Sequence, residues 1–205
     1  MHLVRADMLR RGRTLTETSL VLGARFGVKT RVIPMTDDSV RTRFTTDAGE
    51  LSFQEYFVRE RLKPRLQGIA FAGIDSAQRS PEVWAALREA DLVIIGPSNP
   101  LISIAPILRL VRNELRPERT LAVTPIIGGV ALKGPTVEMM RALGHTPDSV
   151  EVARMYRDVA GTFAIDERDR DLTSAIEDLG YRTVVCDTVM RDGGRKLASA
   201  LLRYV

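Results

Sequence analysis

The chain has 205 residues, 44% of them hydrophobic, which is enough for a sizeable core in one α/β unit. Its net charge of +4 is scattered along the sequence and aromatics make up only 5%, whereas nucleic-acid binders gather basic charge on one face among aromatics. The lone cysteine, Cys186, excludes an intrachain disulfide, and His2 and His145 have no cysteine or acidic cluster at metal-ligand spacing, so no protein metal site is expected.

Taken in order, residues 2–11 have helical spacing with Leu3, Val4, Met8 and Leu9 on one face. A second helix is expected over 16–26, capped by Thr14 with Glu17 three residues on and ended by Gly27. Residues 31–34 read as a short strand running into the polar loop Met35, Thr36, Asp37, Asp38. Residues 41–46 and 50–52 flank Asp47-Ala48-Gly49, a hairpin signal, and 53–62 return to helical spacing. From residue 68 onward, strands at 68–72, 92–95, 121–123, 162–165 and 182–186 alternate with helices at 81–89, 104–114, 136–143, 148–157, 171–179 and 194–203. That alternation predicts parallel βαβ units in a Rossmann-like, three-layer, mostly parallel sheet with helical additions. One domain over 1–205 is expected, with 35–64 and 136–157 as excursions from the sheet. No run approaches the ~18 apolar residues of a membrane span. The start, MHLVRADMLRRG, lacks an apolar signal core and a cleavage site, so a cytoplasmic protein without a membrane partner is expected.

Ligands of open parallel sheets bind beyond the carboxyl ends of the strands, which selects the loops after Ile95, Val123, Ile165 and Cys186. In the first, Pro97 and Pro100 fix the backbone while Ser98, Asn99 and Ser103 offer hydroxyl and amide groups beside a helix start suited to a phosphate. The same residues suit capping and turning of the chain equally well. In the second, Gly128 and Gly129 permit close backbone approach and Lys133 offers a point charge, but a P-loop ending is absent; a glycine turn with an exposed lysine is the plainer reading. Thr36, Asp37 and Asp38 could meet magnesium or a ligand hydroxyl or simply turn the chain, and the aromatics from Phe53 and Gln54 onward could wall a planar ligand or pack as a helix. Neither histidine has partners for a catalytic triad, and the residues alone designate no catalytic group.

Seven segments together resemble the 2-phospho-L-lactate transferase family of coenzyme F-420 biosynthesis. They are PMTDD at 34–38, FQEYFVR at 53–59, GPSNPLISIAPIL at 96–108, TPIIGGVALKGP at 124–135, Met139-Met140, FAIDERD at 163–169 and DTVMRD at 187–192. The resemblance implies a homodimeric, Mg2+-dependent enzyme. Its reaction moves a 2-phospholactyl (or phosphoenolpyruvyl) group from a guanosine diphospho carrier to the deazaflavin FO and releases GMP. It places Ser98, Asn99 and Ser103 on the nucleotide phosphates and Gly128, Gly129 and Lys133 on the facing wall, with Thr36, Asp37, Asp38, Phe53 and Gln54 as substrate-side candidates. Nothing in the sequence corresponds to the strand and GGTGG-type loop with which the family begins. The chain is therefore expected to be N-terminally shortened, with an uncovered sheet edge and little or no activity alone. The alternative is a non-catalytic nucleotide-binding or regulatory module of the same fold.

Overall fold

The computed structural model describes residues 1–132 and 134–204. Helices α1 (His2–Arg10) and α2 (Leu15–Arg25) come first, and α2 opens with a capping box. The Thr14 hydroxyl accepts from the Glu17 N–H at 3.1 Å while the Glu17 carboxylate accepts from the Thr14 N–H at 3.0 Å. The pair buries little: no residue of α1 is buried, and only Thr16 and Thr18 of α2 are.

Residues 31–34, expected as a strand, are irregular. Pro34 has no N–H to pair, and a short strand persists only against a neighbour. Strands β1 (Arg41–Thr46) and β2 (Gly49–Ser52) form the expected antiparallel hairpin, with Thr46 opposite Gly49. The helical stretch that follows shrinks to a π-helical turn, Glu55–Arg59, and ends where Arg61 and Leu62 take positive φ angles of 50° and 62°. Strand β3 (Leu66–Ala72) departs from expectation. It joins the hairpin, antiparallel to β1, in a sheet ordered β2-β1-β3, and takes no part in the parallel sheet. Its exposure alternates along Ile69–Ala72, the mark of a half-buried strand, although the letters IAFA read like a fully buried one.

The remaining elements are α3 (Pro81–Glu89), β4 (Val93–Ile95), α4 (Ala105–Val111), β5 (Thr120–Val123), β6 (Ile126–Ile127), β7 (Val130–Ala131), α5 (Thr136–Ala142), α6 (Ser149–Met155), β8 (Thr162–Asp166), α7 (Thr173–Glu177), β9 (Arg182–Cys186) and α8 (Arg195–Leu201). Strands β4, β5, β8 and β9 lie side by side in that order and all run parallel. Every residue of β5 is buried, as a strand covered on both faces must be. Ala122, Phe163 and Ile165 pack into one layer with Leu108, Val152, Tyr156 and Ile176. Leu121, Val123, Ala164 and Val184 point to the other layer, against Leu197 and Leu201 of α8. This is the predicted α/β, three-layer arrangement. A third cluster, Phe44, Leu51, Tyr56, Leu66 and Met139, holds the antiparallel sheet to α5. Among the described residues the outer strand β4 has no partner on its far side, and Ile94 of that strand is 42% exposed.

Candidate functional site

The loops after β4, β5 and β9 converge on one cleft at the carboxyl ends of the parallel strands, with a volume of about 490 Å3. Ser98, Asn99 and Ser103 form one side, Thr124 and Ile127 the floor, and Thr188 to Met190 a further side. Three of the loops that the strand-end rule selects therefore share one cleft.

The first loop is rigid for reasons written in its sequence. The Asn99 carboxamide oxygen accepts from the N–H groups of Leu101 at 2.9 Å and Ile102 at 3.3 Å, and its NH2 group lies 3.6 Å from the Met139 sulfur. Pro100 follows as first residue of a π-helical turn, Pro100–Ile104, that leads into α4. A proline is at home there because its missing N–H would have had no partner. The helical stretch expected from 104 thus starts at Pro100. The N–H groups expected to face a phosphate are capped by Asn99 itself, whose side chain is committed to the backbone. Among the described residues, the Ser98 and Ser103 hydroxyls have no hydrogen-bond partner, which leaves them available in the cleft.

The second loop is a short hairpin closed by a glycine turn. Gly128 and Gly129 sit at its tip with φ of 56° and 74°, between Ile127 and Val130, as a two-residue turn with left-handed residues requires. Neither glycine lines the cleft; Ile127, Leu132 and Gly134 do. Lys133, between the last two, lies outside the described residues. The hairpin is tethered by Asp169, whose carboxylate accepts from the Gly128 N–H at 2.9 and 3.1 Å. Burial pushes the Asp169 carboxyl up, helped by nearby Asp166, Asp171 and Asp148, against the lowering by that N–H. At the root of the loop, Thr124 is fixed by the Ser149 hydroxyl at 3.0 Å and the Ile126 N–H at 3.1 Å.

The last loop is fixed by Asp166 at the end of β8. Its carboxylate accepts from the Thr188 N–H at 3.0 Å and the Thr188 hydroxyl at 2.9 Å, and from the Arg168 N–H at 3.2 Å. Burial alone would raise the Asp166 carboxyl, but these donors outweigh it and hold it below the ordinary carboxylate range. Thr124 and Thr188 were missed as cleft residues. Each directly follows, or nearly follows, the end of a strand, and that position was the available signal. Cys186 is half-buried in β9, and burial beside Asp166, Glu167 and Asp187 pushes its thiol up, away from nucleophile chemistry.

The substrate-side candidates are placed elsewhere. Thr36 donates to the Gln78 carbonyl, Asp37 accepts from the Thr16 N–H at 2.6 Å and Asp38 from the Gln78 N–H at 2.8 Å. This turn ties α2 to the segment before α3 and does not line the cleft. Phe53 and Gln54 do not line it either, but Phe53 stacks on Phe57 at 4.3 Å between centroids and 9° between planes, and Phe57 does. For Mg2+, which takes oxygen ligands and prefers carboxylates, the described cleft offers hydroxyls and carbonyls but no carboxylate. Among the described residues no group of three or more His, Cys, Asp or Glu could hold a metal. The donor set does not fit a protein-built magnesium site. No helix of the described residues is long and apolar enough to cross a membrane.

Comparison with known proteins agrees with this geometry. The profile of 2-phospho-L-lactate transferase CofD matches residues 1–200. The 2-phospho-L-lactate transferase of Methanosarcina mazei is 37% identical over 191 residues, covering 92% of this chain and 63% of the relative. That of Methanosarcina barkeri is 38% identical, with 92% and 62% covered, and that of Methanopyrus kandleri 36%, with 97% and 65%. A crystal structure of a UPF0052-family protein from Bacillus halodurans superposes with a TM-score of 0.68 at 12% identity, over 98% of this chain and 70% of that one, and so shares the fold. The chain spans about 63% of the length of the first of these transferases. With a family match over residues 1–200 and relatives 37–38% identical over 92% of its length, the chain belongs to the 2-phospho-L-lactate transferase CofD family.

Proposed function

We propose that this chain carries the nucleotide-phosphate wall of a transferase that moves a 2-phospholactyl, or phosphoenolpyruvyl, group from a guanosine diphospho carrier to FO. The observation that carries this reading is the convergence of the β4, β5 and β9 loops on one cleft in a chain of this family. The cleft contains two uncommitted serine hydroxyls, Ser98 and Ser103, on a backbone locked by Asn99. Phosphoryl-type transfer needs in-line positioning and charge stabilisation more than a covalent nucleophile, which suits a site with no triad. In the step, an FO hydroxyl oxygen forms a new P–O bond to the phosphorus beside the lactyl group. The bridging P–O bond breaks, GMP leaves with the bridging oxygen, and the hydroxyl proton passes to water. The chain's own part is to hold the phosphates with Ser98 and Ser103 and to keep the apolar walls, Phe57, Ile102 and Ile127, around them. A homodimer and a cytoplasmic setting belong to the same reading.

The absence of a carboxylate from the described cleft favours one further reading, a module that binds the nucleotide without turnover. One assay separates the two. The chain is given the guanosine diphospho carrier, FO and Mg2+, and GMP is measured alongside GDP binding. Slow release that requires FO and disappears in Ser103→Phe supports the transferase. GDP binding with no release at any protein concentration supports the module, and no GDP binding overturns both.

A further inference from the structure

Behind the candidate cleft lies a second, smaller cavity of about 320 Å3, walled by Pro100, Leu101, Ala105 and Leu108 on one side and by His145, Met155 and Tyr156 on the other. It shares the π-helical turn Pro100–Ile104 with the cleft: Asn99, Ile102 and Ser103 face one space, Pro100 and Leu101 the other. Its size falls within the range of small-molecule sites, roughly 300–1,000 Å3.

Three basic side chains surround it: Arg109, Arg112 and His145. Arg109 makes no ion pair among the described residues. Arg112 is only loosely held, 3.7 Å from the Asp158 carboxylate and 3.5 Å from the Met155 carbonyl. His145 lies 2.8 Å from Glu151, which is itself shared with Arg154 at 3.2 Å. Charges of both signs are thus present, but the ionisable cations Arg109, Arg112 and His145 line the cavity and the acids sit beyond them.

Tyr156 closes the floor, 1% exposed, with its ring beside Phe163 of the core. Around the charged groups the lining is apolar, with Leu101, Leu108 and Met155.

We propose that this cavity binds a small organic anion, its carboxylate or phosphate between the Arg109 and Arg112 guanidinium groups and its apolar body on Leu101, Leu108 and Met155. Guanidinium groups pair with such anions bidentately and recognise their planar or tetrahedral oxygens better than a point charge does. The site is separate from the cleft and does not rest on the transferase reading. A ligand held there would touch the reverse side of the turn that carries Ser103.

Phenyl phosphate serves as the probe, and the two histidines make the readout clean. His145 lines the cavity, while His2 is exposed on α1. In a proton NMR titration of the whole chain, the His145 ring signals should move saturably with a dissociation constant of about 1 mM or tighter, and His2 should not move. Binding should persist in Ser98→Phe, which blocks the cleft, and weaken about tenfold or more in the Arg109→Gln, Arg112→Gln double variant. Should that double variant unfold, Arg109→Gln alone, an exposed position, must still weaken binding measurably. A linear response, equal movement of His2, loss of binding in Ser98→Phe, or unchanged affinity in the folded arginine variants would overturn the assignment.

Discussion

Two helical regions of similar sequence character have opposite fates in this fold. Helices α5 and α6 bury Val137, Met139 and Met140, and Val150, Val152 and Ala153, against the sheets. Helices α1 and α2 have comparable helical spacing, and α2 has a complete capping box, yet Leu3 is 86% exposed and Phe26, which follows α2, is 64% exposed. Local chemistry decides whether a segment coils into a helix; a facing surface decides whether that helix adds stability. The loops that build the cleft are anchored to the buried region, and the Thr36–Asp38 turn, tied to α2, belongs to the exposed one.

The largest effect should come from the core. Phe163 in β8 is fully buried, so Phe163→Ala should cost about 3–5 kcal/mol. In a chain of this size that lowers Tm on the order of 10 °C. Leu3→Ala should leave Tm unchanged; an equal fall for both would erase the contrast between the regions. Next comes Asp166→Asn, which removes a buried charge accepting from Thr188 and Arg168 and should cost about 1–3 kcal/mol at neutral pH. The sign of its pH dependence follows from the depressed carboxyl. The ionised form stabilises the fold above the unfolded value of about 3.9, and that contribution is lost as pH falls through the folded value. The Tm gap between wild type and Asp166→Asn should therefore be full at neutral pH and close below about pH 4.

Thr14→Ala sharpens the comparison at the exposed end. It should weaken α2 by about 1 kcal/mol, read as faster amide exchange in α2, without lowering the global Tm, because α2 buries so little. The smallest change in stability, within about 0.5 kcal/mol, is expected for Ile94→Thr on the open edge of β4. The same substitution should reduce self-association in sedimentation, since an unpaired apolar edge invites strand pairing.

Much of the fold was legible because its signals are local and redundant. The Thr14-x-x-Glu17 box, the Asp47-Ala48-Gly49 turn and the apolar runs of β5 and β8 each specify one outcome. Strand β3 was misplaced because IAFA suits either sheet, and partner choice is settled by long-range register with β1. Residues 31–34 have a strand's letters but pair with no strand among the described residues. That Ser98 and Ser103 line a strand-end cleft was legible because the strand-end rule is topological. The role of Asn99 as a cap, the hairpin at Gly128-Gly129 and the floor made by Thr124 and Thr188 depend on which partner claims each polar group, and spacing alone does not record that.

The central claim is that the cleft beyond β4, β5 and β9 holds nucleotide phosphates, and calorimetric titration of GDP into the chain and into Ser103→Phe tests it most directly. We predict saturable binding by the wild type and its loss in the variant at an unchanged Tm. Equal GDP affinity in both proteins, with the variant folded, would contradict the account.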